Sequence, residues 1–168
     1  NAVATPVAAR IGGLDRYETA AKIAQTNGAN DTVVLASGEN FPDALSSAYL
    51  ANQFGASILL THAATLPATT IQAMRLLGTK TVYLIGGTGA ISAGVEAQLL
   101  ATPQYIEPGV VTAGQGKLLV IRLGGLDRYE TNKIVNLKAA AVTTFPNPVD
   151  RTNITFGQAS KLTALVAT

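Results

Sequence analysis

The chain has 168 residues, enough for one domain or two small ones with a real core. Apolar residues make up 48% and charged residues 13%, with a mean hydropathy of +0.28, which excludes the polar, charged composition of disordered chains. A net charge of +2 without a basic run argues against a nucleic-acid face, zero cysteines exclude disulfides and thiolate metal sites, and no apolar run reaches the ~18 residues of a membrane helix.

With so few charges, the surface is largely Thr, Ser, Asn, Gln, Ala and Gly, as in many secreted proteins, or is covered by a partner. Residues 1–9, small and without Met, read as an N-terminal extension, either a mature end left after signal removal or an arbitrary boundary. The next ten, Arg10-Ile-Gly-Gly-Leu-Asp-Arg-Tyr-Glu-Thr19, read as strand end, turn and helix start. Asp15 with Glu18 three residues on resembles a capping box, and Tyr17, Ala20, Ala21, Ile23 and Ala24 follow at helical spacing until Asn27-Gly28. Residues 32–36 are a short apolar run of the kind buried on both faces of a parallel sheet. Pro42 suits the first turn of a second helix, which carries Ala44, Leu45, Ala48 and Tyr49 to Gly55.

Residues 56–61 predict a second buried strand, and Leu66-Pro67 opens a helix through Ile71, Met74, Leu76 and Leu77 to Gly78. Residues 81–85 predict a third strand, Gly86-Gly-Thr-Gly-Ala90 a turn, and Ser92 the cap of a helix to Leu100. Residues 101–119 break this rhythm with loop signals around a short strand candidate at Val110-Val111. The strand at 119–122 then delivers Arg122-Leu-Gly-Gly-Leu-Asp-Arg-Tyr-Glu-Thr131, which differs from the opening segment only at Leu123 against Ile11. A helix runs from Tyr129 towards Val142 and ends at Phe145-Pro-Asn-Pro148; residues 153–156 read as a strand and 160–166 as the start of another helix.

Alternating apolar strands and amphipathic helices predict an α/β fold with a mainly parallel sheet, and right-handed crossovers place helices on both faces. The recurrence predicts a repeated structural unit. Residues 10–121 form one complete repeat with an insertion near 101–119, and residues 122–168 a partial second.

Four places could carry chemistry. Gly86, Gly87 and Gly89 form a strand-to-helix turn whose amides suit an anion, but Ile91 stands where a dinucleotide fingerprint needs glycine and no Walker Lys is present. A tight turn with positive φ is the simpler reading. Glu39 and Asp43 lie at the C-terminal edge of a strand, where ligands of open α/β sheets bind; an acid pair is one reading and, for Asp43, first-turn stabilisation of the helix the preferred one. His62, the only histidine, has no partner at catalytic or metal-binding spacing and reads as a loop residue. Finally Arg16 with Tyr17, repeated as Arg128 with Tyr129, either contacts a polymer or pins neighbouring loops through carboxylate hydrogen bonds. No catalytic constellation, cofactor motif or metal site is present in the pattern.

Together, residues 10–19, Val34-Leu-Ala-Ser-Gly-Glu-Asn-Phe-Pro-Asp-Ala-Leu45, Ile58-Leu-Leu-Thr61 and Val82-Tyr-Leu-Ile-Gly-Gly-Thr-Gly-Ala-Ile-Ser92 resemble the type 2 cell-wall-binding repeats of Gram-positive surface proteins. The resemblance covers about residues 10–100 and resumes at 122–131. It implies Rossmann-like three-layer units, usually three in tandem around a pseudo-threefold axis, and a non-enzymatic anchor for an anionic cell-wall polysaccharide. The family's Ile-Leu-Leu motif falls on Ile58, Leu59 and Leu60, where a buried strand makes a structural role the expectation.

The resulting expectation is a secreted, non-catalytic cell-wall module that needs no cofactor or metal. Its candidate anion contacts are Arg10, Arg16, Arg122 and Arg128, with the amides of Gly86, Gly87 and Gly89. One and a half units leave apolar faces to cover, so a homo-oligomer or a second chain completing the array is expected. The alternatives are a self-assembling surface-layer subunit and a nucleotide- or small-molecule-binding enzyme. Neither nucleic-acid binding nor membrane insertion is expected.

Overall fold

The computed structural model describes residues 10–104 and 116–143. The elements are α1 (Arg16–Thr26), β1 (Thr32–Ser37), α2 (Phe41–Phe54), β2 (Ser57–Thr61), α3 (Ala68–Leu77), β3 (Thr81–Ile85), α4 (Ala93–Ala101), β4 (Leu119–Leu123) and α5 (Arg128–Thr143). The strand expected at Val110-Val111, and everything read beyond residue 143, lie outside the described residues.

Each helix starts and stops for a local reason. Asp15 caps α1 by accepting from the Glu18 amide at 2.8 Å, while Glu18 Oε2 accepts from the Leu14 amide. The expected capping box therefore forms, although the glutamate reaches one residue further back than the usual partner. Ser92 caps α4 through the Val95 amide. Both α2 and α3 end on glycines in the left-handed region, Gly55 and Gly78, where a side chain would be strained.

The four strands are parallel in the order β2-β1-β3-β4. Parallel neighbours require crossovers, and the helices cover both faces of the sheet. On one face Val33, Leu35, Leu59, Val82 and Leu84 meet Ala21, Ala24, Ala73, Met74, Leu77, Val95 and Leu99 from α1, α3 and α4. On the other, Val34, Ala36, Tyr83, Ile85 and Leu123 meet Leu50 and Ala51 of α2 and Val135 and Ala139 of α5. The result is a three-layer α/β/α arrangement, with each large aliphatic side chain in it contributing about 1.5–3 kcal/mol by burial.

Two expectations about strands change. The run at 56–61 was expected to be a buried strand, but β2 is an edge strand: Leu59 is fully buried, whereas Ile58 and Leu60 are only half-buried against the α2 side. The first repeated segment was expected to open on a strand end, yet residues 10–12 form none. The matching Arg122 lies inside β4, paired with Leu84 of β3. The second copy therefore begins inside the fourth strand of the sheet, to which it contributes Arg122 and Leu123.

Candidate functional site

The sheet order reverses direction between β1 and β3, so the loops leaving these strands diverge and open a crevice at their C-terminal ends. A cleft of ≈ 340 Å³ lies there. Its walls are the start of α2 (Asn40, Asp43), the β3–α4 loop (Gly87, Thr88, Gly89, Ala90) and the β4–α5 loop with the first turn of α5 (Gly125, Leu126, Asp127, Arg128, Thr131). The last group belongs to the second copy of the repeated segment, brought into place by the pairing of β4 with β3.

That approach is close. A Cβ on Gly124 would fall 2.4–2.5 Å from backbone atoms of Gly86 and Gly87, so no side chain fits there. Arg122 holds the junction: Nη1 donates to the carbonyls of Gly86 (2.8 Å) and Ile91 (3.0 Å), and Glu96 Oε2 lies 2.9 Å from both Nε and Nη2. The Gly86 amide in turn donates to Leu123 O at 2.9 Å. This clamp joins β4 to the glycine-rich loop.

The seven candidate anion contacts therefore separate. Arg128, Gly87 and Gly89 line the cleft, and the two glycine amides donate to nothing among the described residues. The Arg122 guanidinium is directed into the protein and the Gly86 amide is taken by the sheet, so the structure gives both a clamping role. Arg16 donates Nη1 to Gly38 O at 2.5 Å, and Arg10 is exposed; neither lines the cleft. Ile58, Leu59 and Leu60 lie in β2, two strands from β3.

Asp43 stands in the first turn of α2, as expected, and is also buried against the glycine-rich loop. Its residue is only 4% exposed, Oδ2 lies against Gly86, and its carboxyl accepts no hydrogen bond among the described residues. Burial pushes its pKa above the ordinary aspartate value, and the Arg128 charge partly opposes the rise.

A second cluster was invisible in the sequence. Tyr17 Oη lies 2.8 Å from His62 Nδ1, and Glu39 Oε1 lies 3.0 Å from the same nitrogen. The Tyr17 ring packs on the imidazole, with centroids 4.2 Å apart, and against Gly38. Burial, then the Glu39 charge, raises the phenol pKa. The loop histidine thus has partners 45 and 23 residues away. Among the described residues no group of three or more His, Cys, Asp or Glu could hold a metal ion, and no helix is long and apolar enough to cross a membrane.

Comparison with known proteins gives these features a context. Residues 10–96 match the family described as Cell wall binding domain 2 (CWB2). The chain is 34% identical to N-acetylmuramoyl-L-alanine amidase LytC of Bacillus subtilis (strain 168) over 73% of its own length, and 35% identical to the Amidase enhancer of the same organism over 54%. It spans only 22% and 13% of those two proteins. Among solved structures it resembles Cwp6 from Clostridium difficile (TM-score 0.62, 28% identity, 74% of this chain, 18% of that one). It also resembles Cwp8 from the same organism (TM-score 0.57, 28% identity, 77% and 19%).

Proposed function

This chain belongs to the cell wall binding domain 2 family, and from that premise we propose how its geometry serves wall binding. The chain is a cell-wall-binding module of α/β fold, secreted and associated with the wall, with a wall polymer as its partner. The finer reading is that the polymer is an anionic polysaccharide and that the module anchors a longer secreted protein without catalysing a reaction itself. The supporting observation is the cleft, where Arg128 stands opposite the uncommitted amides of Gly87 and Gly89. A guanidinium and free amides together suit an acidic group on a polymer. Sedimentation with purified walls tests this. Retention should fall several-fold from low salt to about 0.5 M and should fall similarly in Arg128→Ala. Equal retention across the salt series would count against the anionic ligand.

The partner reading rests on the two helices that carry the repeated segment. α1 buries Tyr17, Ala21 and Ala24 within its own unit. α5 buries a different face, Thr131, Val135 and Ala139, against the α2 side of the preceding sheet. The residue of α1 equivalent to Val135 is Ile23, which is 45% exposed. Another repeat unit, supplied by a second copy or a second chain, covers that face. Light scattering at micromolar concentration should show more than one chain per particle, and a compact monomer would overturn the idea.

A further inference from the structure

We infer that the cleft reads hydroxyl groups of its polymer through Asp43, in addition to the acidic group proposed for Arg128; this rests on the wall-binding reading above. The argument starts from what Asp43 lacks. A carboxylate is an acceptor with two oxygens and room for several donors. Asp43 sits at the wall of the cleft, more than nine-tenths buried, and no donor of the described residues reaches it. Burying such a group without a hydrogen bond is costly, so the cleft is poised for a ligand that donates.

The surroundings narrow the class of donor. A simple anion held by Arg128 and the loop amides would leave Asp43 without a donor and be repelled by it, so an acidic group alone does not satisfy the cleft. A simple cation fits poorly beside the Arg128 guanidinium. Neutral hydroxyls satisfy every wall at once. They donate to Asp43 and accept from the amides of Gly87 and Gly89, while the fully exposed Leu126 offers an apolar surface to C–H groups of a sugar ring. At ≈ 340 Å³ the cleft lies at the low end of the roughly 300–1,000 Å³ typical of small-molecule sites, which suits a short stretch of glycan. The ligand class is a polysaccharide with adjacent free hydroxyls.

The test compares walls purified from the producing organism before and after periodate oxidation, which cleaves vicinal diols and leaves phosphate and carboxylate groups in place. Wild-type binding to untreated walls tests the wall-binding reading by itself, and no retention there would sink that reading. Given binding, oxidised walls should be held roughly tenfold or more weakly, and Asp43→Asn should weaken binding to untreated walls similarly. The same variant should melt about 2–5 °C higher, since it removes an unpaired buried charge. Thr88→Trp, at an exposed position of the cleft rim, should block binding without lowering the melting temperature. Undiminished binding to oxidised walls overturns hydroxyl recognition while leaving the wall-binding reading intact. Full binding by either variant overturns the assignment to this cleft, and an Asp43→Asn protein that fails to fold leaves the oxidation and Thr88→Trp measurements to decide.

Discussion

Residues 10–19 and 122–131 are nearly the same sequence placed in two different surroundings. Their internal structure is alike. Gly13 donates to Thr19 Oγ1 at 2.9 Å and Gly125 to Thr131 Oγ1 at 3.0 Å; Glu18 and Glu130 each accept from the amides of Leu14 and Leu126; Asp15 and Asp127 each cap the helix that follows. The leucine at the tip is fully exposed in the second copy and almost so in the first. Everything else differs. Tyr17 is 7% exposed and Tyr129 76%; Arg10 is exposed and Arg122 is clamped; Gly12 has open space around it and Gly124 has none. Local sequence fixes the loop and its cap, whereas the elements each copy packs against decide which side chains become structural.

Paired substitutions can break that contrast. Arg122→Ala removes the clamp and leaves Glu96 without its partner, and should cost about 2–3 kcal/mol in denaturant unfolding, against less than about 0.5 for Arg10→Ala. Equal losses would mean that residues 10–12 are docked much as β4 is. Gly124→Ala drives a methyl into the backbone of Gly86 and Gly87 and should cost about 2 kcal/mol, while Gly12→Ala should be nearly neutral. Asp15→Ala and Asp127→Ala sharpen the other half of the comparison. Each removes a local cap, so both should cost about 1 kcal/mol, and a large inequality would show that the caps depend on their surroundings.

The smallest expected effects are on pH dependence. The Glu18 pKa is lowered, first by the Leu14 amide and then by Lys22. Its contribution is present above the ordinary carboxylate value and fades as pH falls through the folded-state value, so Glu18→Gln should flatten the acid limb of the stability curve. Asp43 has the opposite sign. Its raised folded-state pKa means that stability declines as pH rises from the ordinary aspartate value through the folded one, and Asp43→Asn should remove that decline.

Much of this architecture could be read from local signals. The third strand lies where its apolar run ends, at Thr81 and Ile85, and Ser92, Gly55 and Gly78 mark helix boundaries as their chemistry dictates. The runs at 32–36 and 56–61 look equally apolar, yet one is central and the other is an edge, because strand order is a tertiary property. The site was harder to read. Arg128, Gly87 and Gly89 were visible as residue types suited to anions, but nothing local distinguished them from Arg122 and Gly86, whose groups face inward. Asp43 looked like an ordinary first-turn carboxylate because the segments that bury it, at Gly86 and around Arg128, come from distant parts of the chain. Tyr17, Glu39 and His62 meet only because α1 packs beside β2.

The pairing of β4 with β3 also sets an order of events during synthesis and export. A chain emerging N-terminus first can assemble β2, β1 and β3 early, but the open side of β3 stays unpaired until residues 119–123 are available. In that interval the segment Val82-Tyr83-Leu84-Ile85 is an apolar strand edge of the type that recruits other chains. Faster delivery of the second motif would shorten this vulnerable period, and a longer insertion between α4 and β4 would extend it. Aggregation during vectorial synthesis and export is therefore expected to depend on a segment that lies beyond the matched family region.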